Sequence, residues 1–133
     1  VLTVQALEVG SSINYGTLDP NADTGSFNPV TSVVNIGNVG IRPEVEGQDL
    51  TDGFASVIPT ENQKLATSTF TYGTCTSCVT LTSGSAVDIG ADITKPSAPT
   101  PPASVDVYWG IAVPFGTAPN PHQGSNIFYA VGI

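Results

Sequence analysis

The chain has 133 residues, of which 3 are cationic and 11 are acidic, and its net charge is −8. This length suffices for one domain with a two-layer core. The acidic balance argues against nucleic acids and anionic membranes as partners, because both need basic patches. Charged residues make up 11% of the chain, about half the usual share, so we expect a surface of Ser, Thr, Asn and Gly, as in extracellular β-proteins.

The chain contains no methionine, even at position 1. We therefore expect that a leader has been removed, which fits an extracellular or cell-surface location, although a trimmed fragment would begin in the same way. No apolar run approaches the ~18–20 residues of a membrane-spanning helix, so we predict no membrane span.

Residues 1–9 predict a first strand that is apolar on both sides. Successive side chains of a strand point to opposite faces. Leu2, Val4 and Ala6 therefore lie on one side, and Leu7 lies on the other. Such a strand can be covered on both faces, by its own sheet or by a neighbouring molecule.

A Gly-Ser-Ser break at residues 10–12 follows the first strand. Gly and Ser favour a flexible connection, so the first strand can change direction relative to the rest. We divide the chain into an N-terminal strand with its linker, residues 1–12, and a β-sandwich body, residues 13–133. Residues 13–18 predict a short strand that opens the body.

The next loop is rich in Asp and Asn and resembles the start of a calcium-binding loop. Asp19, Asn21 and Asp23 with Gly25 place oxygen ligands at every second residue. The full pattern fails, because Val30 stands where the twelfth-position carboxylate is expected. We interpret the segment as a surface loop with Asx turns and keep the three side chains as calcium candidates.

Short apolar–polar alternations separated by Gly, Pro, Asn and Ser continue along the chain, and no longer segment shows helical spacing. About eight to ten short strands of this kind predict an all-β fold, a single β-sandwich that is Ig-like or jelly-roll-like and has no substantial helix. The Pro-rich residues 95–104 predict an extended crossover between sheets. The middle strand patterns lie at 30–36, 39–45, 65–72, 79–81 and 87–93.

The last part of the chain, residues 105–133, predicts a β-hairpin. Two runs with apolar residues at every second position flank a loop rich in Pro, Gly and Asn, which cannot continue a ladder. We expect the alternating side chains to form the core that receives a partner strand. They are Trp109, Ile111 and Val113 in the first run and Ile127, Tyr129 and Val131 in the second.

The two cysteines, Cys75 and Cys78, form one CxxC pair. A local disulfide is the favoured interpretation in an extracellular protein. A thioredoxin-like redox pair needs a helix N-terminus, and a zinc site needs further ligands. The single histidine, His122, lies far along the chain, so we predict no metal site here and no cofactor.

The sequence shows no recognisable active site. His122 is the one histidine available as a general base, it lies in a loop, and no phosphate-binding or hydrolase motif occurs. We therefore expect a non-catalytic protein. Tyr108 and Phe128 would form a stacking platform for surface glycans if both were exposed, although cover by a loop or a neighbouring subunit is preferred. Such a platform would favour an alternative function, a carbohydrate- or surface-binding module of a larger secreted protein.

Four short motifs carry a resemblance to a known kind of protein. They are Asn-Ile-Gly-Asn-Val at 35–39, Val-Glu-Gly-Gln-Asp-Leu at 45–50, Asn-Gln-Lys at 62–64 and Tyr-Trp-Gly-Ile-Ala-Val-Pro-Phe-Gly-Thr at 108–117. In these motifs the chain is similar to β-sandwich subunits of non-flagellar extracellular filaments, such as archaeal bundling pili and bacterial biofilm-matrix fibre proteins. Residues 13–18 also resemble the first strand of the sandwich body in those filament subunits.

The resemblance implies donor-strand assembly, in which the N-terminal strand of one subunit fills a groove in the next. An added strand gains backbone hydrogen bonds and side-chain pockets, and a head-to-tail contact propagates as a homopolymeric fibre. We therefore expect a structural subunit of an extracellular filament, pilus or surface layer, with Leu2, Val4, Ala6 and Leu7 as the subunit contact. In an ordinary monomer the same strand would belong to its own sheet.

Overall fold

The structure is a computed structural model that describes residues 2–10, 12–97 and 103–133. It is all-β, as predicted, and a 3₁₀ turn at Thr60–Asn62 is the helical element among the described residues. No helix in this part of the chain is long and apolar enough to cross a membrane. The strands are β1 (Leu7–Val9), β2 (Val30–Asn35), β3 (Ile41–Gly47), β4 (Leu50–Thr51), β5 (Val57–Ile58), β6 (Gln63–Ala66), β7 (Val79–Thr80), β8 (Val87–Asp88), β9 (Ser104–Ile111) and β10 (Asn126–Gly132).

Two antiparallel sheets pack face to face and form a β-sandwich. The larger sheet has the strand order β1-β2-β9-β6-β7, and the smaller sheet has the order β10-β3-β8. Strands β4 and β5 pair separately as a short hairpin. The buried side chains of both sheets form one core, and they are Val33, Ile41, Val45, Leu65, Leu81, Ile89, Ile93, Val107 and Trp109.

Trp109 lies at the centre of this core, on β9, and is fully buried. Its indole Nε1 donates a hydrogen bond of 2.9 Å to the hydroxyl of Thr31 on the neighbouring strand β2. Its ring meets Phe128 of the smaller sheet edge to face, with the centroids 6.1 Å apart. This arrangement satisfies the polar end of the indole and joins the two layers.

The predicted hairpin of β9 and β10 is wrong. Strand β9 lies between β2 and β6 in the larger sheet, whereas β10 pairs with β3 in the smaller sheet. Both edges of β9 are already paired, with β2 and β6, so β10 forms its ladder with β3 instead. The connecting residues 112–125 are long enough to cross from one layer to the other.

The predicted inward face of β10 is also wrong. Ile127, Tyr129 and Val131 are 39%, 41% and 37% exposed on the outer face, while Phe128 and its neighbours in phase pack against the core. The register explains this phase, because Phe128 pairs with Val45 of β3, and Val45 is fully buried.

In the first run, Trp109 and Ile111 are buried, as the alternation requires. Val113 is half-buried and lies beyond the end of β9 at Ile111. Its backbone still bonds to the body, since its amide donates to the carbonyl of Ala22 over 2.8 Å. Val113 therefore anchors a loop, and it does not belong to the core to which the sequence assigned it.

Two further strand predictions are corrected. Residues 13–18 form no strand, and the pattern at 65–72 ends as a strand at Ala66, where a turn follows. The predicted crossover at 95–104 falls partly on residues 98–102, which lie outside the described residues. Its ends are in different sheets, because Ile93 bridges to β3 and Ser104 begins β9.

Cys75 and Cys78 are joined by a disulfide, with their Cα atoms 5.8 Å apart. The bridge lies at the end of the loop between β6 and β7, just before Val79. Tyr72 fixes this loop to the body by donating its hydroxyl to the carbonyl of Asn62 over 2.7 Å. The ammonium of Lys64 lies 4.3 Å from the centre of the Tyr72 ring and adds a cation–π contact.

Candidate functional site

The N-terminal segment, residues 2–9, lies along the outer edge of the larger sheet. Its last part, β1, pairs antiparallel with β2, with Leu7 opposite Asn35 and Val9 opposite Val33. The preceding residues continue along the turn that follows β2. We call this segment the N-terminal strand, and it is the element on which the candidate site is built.

Four hydrogen bonds hold the first part of the N-terminal strand to that turn. The amide of Val4 donates to Asn38 Oδ1 over 2.7 Å, and the amide of Asn38 donates back to the carbonyl of Val4 over 2.9 Å. Asn38 Nδ2 donates to the carbonyl of Leu2 over 2.6 Å, and the amide of Ile36 donates to the carbonyl of Ala6 over 3.1 Å. Beyond the end of β2, the Asn38 side chain thus makes the hydrogen bonds that a paired strand would otherwise make to the N-terminal strand.

Gly37 lets the N-terminal strand approach the turn closely. A Cβ atom at this position would collide with the carbonyl oxygen of Val4 and lie 2.9 Å from the amide nitrogen of Ala6. All the nearest atoms belong to the backbone of the N-terminal strand, which cannot rotate away as a flexible side chain can. A side chain at Gly37 is therefore incompatible with the docked strand.

Asn35 makes this turn rigid from inside. Its side chain is fully buried, and its Nδ2 donates to the carbonyls of Val39 over 2.8 Å and Thr94 over 3.0 Å. Its Oδ1 accepts the amide of Gly37 over 3.0 Å. Such a satisfied buried amide fixes the backbone that receives the N-terminal strand. The sequence indicates a tight turn or a bulge at residues 37–38 but not that it receives a strand; the signal for that role is two asparagines around a glycine.

The four predicted contact residues do not share one face of the N-terminal strand. Leu2 is 84% exposed and Val4 is 46% exposed, and Ala6 is half-buried. Leu7 points the other way and packs against the core. In this arrangement the strand docks through its backbone, Leu7 and Val9, and it leaves Leu2 and Val4 largely in water.

Residues 12–18 connect the N-terminal strand to the body without a ladder of their own. None of the backbone–backbone hydrogen bonds between described residues involves them. Ile13 and Tyr15 instead pack against the core, and the Tyr15 hydroxyl donates to Gln63 Oε1 over 2.9 Å. Burial, and secondarily the nearby Tyr72, raises the pKa of Tyr15, so its phenol stays a hydrogen-bond donor.

Two loops at one end of the sandwich are bonded to each other. Asn120 Nδ2 donates to Asp52 Oδ2 over 3.0 Å, and the backbone amide of Ala118 donates to the Ser56 hydroxyl over 3.0 Å. His122 Nδ1 lies 2.7 Å from the carbonyl of Asn120, and its Nε2 lies 2.9 Å from the Ser56 hydroxyl. Nδ1 therefore carries the proton, and Nε2 accepts from the hydroxyl. Both ring nitrogens are thus engaged.

Acidification is expected to loosen these two loops. The Asn120 amide, and then the Phe54 amide, lowers the pKa of Asp52 below its ordinary value of 3.8. A carboxyl with a lowered folded-state pKa adds stability above its unfolded-state pKa, and this contribution is lost as the pH falls through the folded-state pKa. NMR titration of the Asp52 carboxyl and the Ser56 amide checks this. The Asp52→Asn variant should show the acid-form amide shifts at neutral pH, and an Asp52 that titrates above 3.8 would contradict the prediction.

The calcium candidates Asp19, Asn21 and Asp23 form turns in the structure. Asp23 Oδ1 accepts the amide of Gly25 over 2.7 Å, and the carbonyl of Asp19 accepts the amide of Ala22 over 3.1 Å. Asn21 is in the left-handed region, with φ at 66°. No group of three or more His, Cys, Asp or Glu side chains in the described part of the chain is arranged to hold a metal ion.

The predicted aromatic platform does not form. Tyr108 and Phe128 lie in different sheets, on β9 and β10. Phe128 points inward and meets Trp109 in the core, so the two rings cannot present one surface. The most exposed aromatic side chains among the described residues are instead Phe54 and Phe115, at 86% and 89%.

The chain has no match among the proteins to which it was compared. No family model matches it, and neither curated proteins nor solved structures give a match. The fold and the local geometry define the protein as an all-β sandwich whose N-terminal strand docks on a sheet edge.

Proposed function

We propose that this protein is the structural subunit of an extracellular filament, in which the N-terminal strand of one copy docks on β2 of the next. The observation that carries the proposal is the position of that strand. It occupies the edge of the larger sheet and bonds only to β2 and the turn after it, among the described residues.

The contacts of this strand can be supplied by another molecule without change. The hydrogen bonds of Val4 and Ala6 with the turn, and the packing of Leu7 on the core, are the same whether the strand comes from the same copy or from a neighbour. Exchange of an identical element between copies costs little for this reason. When each copy inserts its strand into the next copy, the head-to-tail contacts do not form a closed ring, and the copies assemble into a fibre.

The connection to the body favours such an exchange. Residues 12–18 are held by the side chains of Ile13 and Tyr15 and not by a backbone ladder. A Cβ atom at Gly10 would meet no other atom within 4 Å, so this part of the connection is not packed against the body. Redirecting the strand therefore breaks few contacts other than those that the neighbour restores.

The extracellular location rests on the disulfide between Cys75 and Cys78 and on the sparse charge of the chain. Disulfides persist in oxidising compartments and are rare in the cytosol. A non-catalytic role is part of the same proposal. It is supported by His122, whose two ring nitrogens already have partners within its own loops.

A cysteine pair across the docked strand tests the proposal. Glu8 lies opposite Val34 in the β1–β2 pairing, and opposed residues of antiparallel strands have Cα atoms about 4.5–5.5 Å apart, which suits a disulfide. The native cysteines are already paired. In the Glu8→Cys/Val34→Cys variant, exchange between copies gives a ladder of covalent oligomers on non-reducing denaturing gels. This ladder should strengthen with concentration.

The single variant Glu8→Cys is the matched control, because it forms dimers at most. A double variant that yields only the intramolecular disulfide at every concentration would overturn the proposal. The strand would then be a permanent member of its own sheet.

A further inference from the structure

A cleft of about 1120 Å³ opens at the side of the sandwich. Most of its lining comes from two segments, residues 12–20 and residues 117–125 with the start of β10, which we call its two walls. Gln63 also lines it, as do Leu7 and Val9 of the N-terminal strand. Small-molecule sites usually measure ~300–1,000 Å³, so this cleft is large enough for a ligand of several rings.

The lining of this cleft combines apolar and neutral polar side chains and is almost uncharged. Among its described residues Asp19 is the one carboxylate, and there is no Lys or Arg. Phosphate and carboxylate ligands would therefore lack the cationic partners that usually bind them. Tyr15 and Phe128 add aromatic carbon surface. The neutral polar side chains include Asn14, Thr17, Asn120, Gln123, Ser125 and Asn126.

Gln63 provides a second, independent observation that points to a ligand in the cleft, because one of its side-chain atoms has no hydrogen-bond partner. Its side chain is 1% exposed, and its Oε1 accepts from the Tyr15 hydroxyl and from Asn126 Nδ2, over 2.9 and 3.2 Å. Its Nε2 is buried and has no hydrogen-bond partner. Buried polar groups in native proteins are nearly always paired. A ligand hydroxyl can both accept and donate, so it can pair with this amide.

We propose that the cleft binds an uncharged, polyhydroxylated ligand, a short neutral glycan. The amides and hydroxyls of the cleft bond to sugar hydroxyls, and apolar side chains of the lining, such as Leu50, contact the C–H faces of sugar rings. A purely apolar ligand would leave these amides unpaired.

An extended peptide suits the cleft less well than a glycan. A peptide that binds as an added strand needs a regular strand edge for its backbone. Gly16, with φ at 77°, interrupts the extended course of one wall. Pro119 and Pro121 remove N–H donors from the other wall.

The test is an NMR titration of the full ¹⁵N-labelled chain with short cello-, malto- and chito-oligosaccharides. The proposal expects amide shifts at cleft residues for at least one of these series. The Ser125→Trp variant places a large side chain in the cleft from an exposed position and should abolish the shifts. The Asn126→Ala variant, which frees Gln63 from one of its partners, should weaken binding about tenfold.

Ser32→Trp is the matched control, because Ser32 is exposed on β2 and does not line the cleft, and it should bind as the parent does. The absence of shifts at cleft residues with every series would overturn the proposal. Shifts that survive Ser125→Trp would do the same, because the sugar would then bind elsewhere. A synthetic peptide of residues 1–9 that occupies the cleft in place of the sugars would reassign it to strand assembly.

Discussion

The Gly37→Ala variant is expected to release the N-terminal strand and to abolish polymerisation, while the body stays folded. The added Cβ would collide with the backbone of Val4 and Ala6, and it meets no closer atom of the body. The hydrogen bonds that join these residues to the turn contribute roughly 0.5–1.5 kcal/mol each. We therefore expect the free energy of unfolding to fall by about 1–3 kcal/mol, measured by urea titration, and sedimentation velocity to show monomers.

Gly10→Ala is the control for this variant. A Cβ atom at Gly10 would meet no atom within 4 Å, so the same substitution should leave both stability and assembly unchanged. A Gly37→Ala chain that polymerises as the parent does would show that assembly does not use the β2 edge. A Gly10→Ala chain that fails to polymerise would place the decisive contact in the linker instead.

The Trp109→Ala variant is expected to show the largest loss of stability. The side chain is fully buried, packs edge to face on Phe128 and donates a hydrogen bond to Thr31. Truncation of a buried Trp costs about 3–5 kcal/mol. Domains have about 5–15 kcal/mol in total, so this loss removes a large fraction of the stability and should sharply lower the midpoint of thermal unfolding. Thermal denaturation followed by circular dichroism measures the change.

Tyr129→Ala is the comparison variant for Trp109→Ala. Tyr129 is 41% exposed on the outer face of β10, so its truncation should cost less than about 1 kcal/mol. Sequence alternation alone assigned Tyr129 and Trp109 to the same core. Equal losses in the two variants would contradict the face of β10 that the structure gives.

The all-β class was predictable because it depends on local patterns. Short alternating runs, separated by Gly, Pro and Asn, cannot form helices of useful length. The period along β9 also identified an alternating apolar face that contains Trp109 and Ile111. Because these properties depend on residues close together in the chain, the sequence alone is sufficient to predict them.

Strand pairing and the phase of β10 depend on distant residues and were not predictable. Both faces of β10 carry apolar side chains, so alternation alone cannot tell which face is inside. The pairing of Phe128 with Val45 decides it, and that pairing joins residues far apart in sequence. The hairpin prediction failed for the same reason, because β10 gains a seven-residue ladder with β3 that β9 cannot offer while it pairs with β2 and β6.

A turn or bulge at residues 37–38 was predictable, but its role in receiving the N-terminal strand was not, because its residues act through three-dimensional contacts. Asn35, Gly37 and Asn38 are compatible with an ordinary tight turn or a bulge. Their roles appear only when the N-terminal strand lies beside them, since Asn38 bonds to Leu2 and Val4 and Gly37 leaves room for the Val4 carbonyl. A pair of asparagines around a glycine next to a sheet edge is the signal to examine in similar chains.

Negative-stain electron microscopy of the full chain at increasing concentration, with denaturing gels of the same samples, tests the proposed assembly most directly. We expect regular fibres built from one repeating subunit of 13.6 kDa that lengthen with concentration and are absent in Gly37→Ala. A parent chain that stays monomeric at every concentration would contradict the proposed assembly and leave the N-terminal strand as the edge strand of its own sheet.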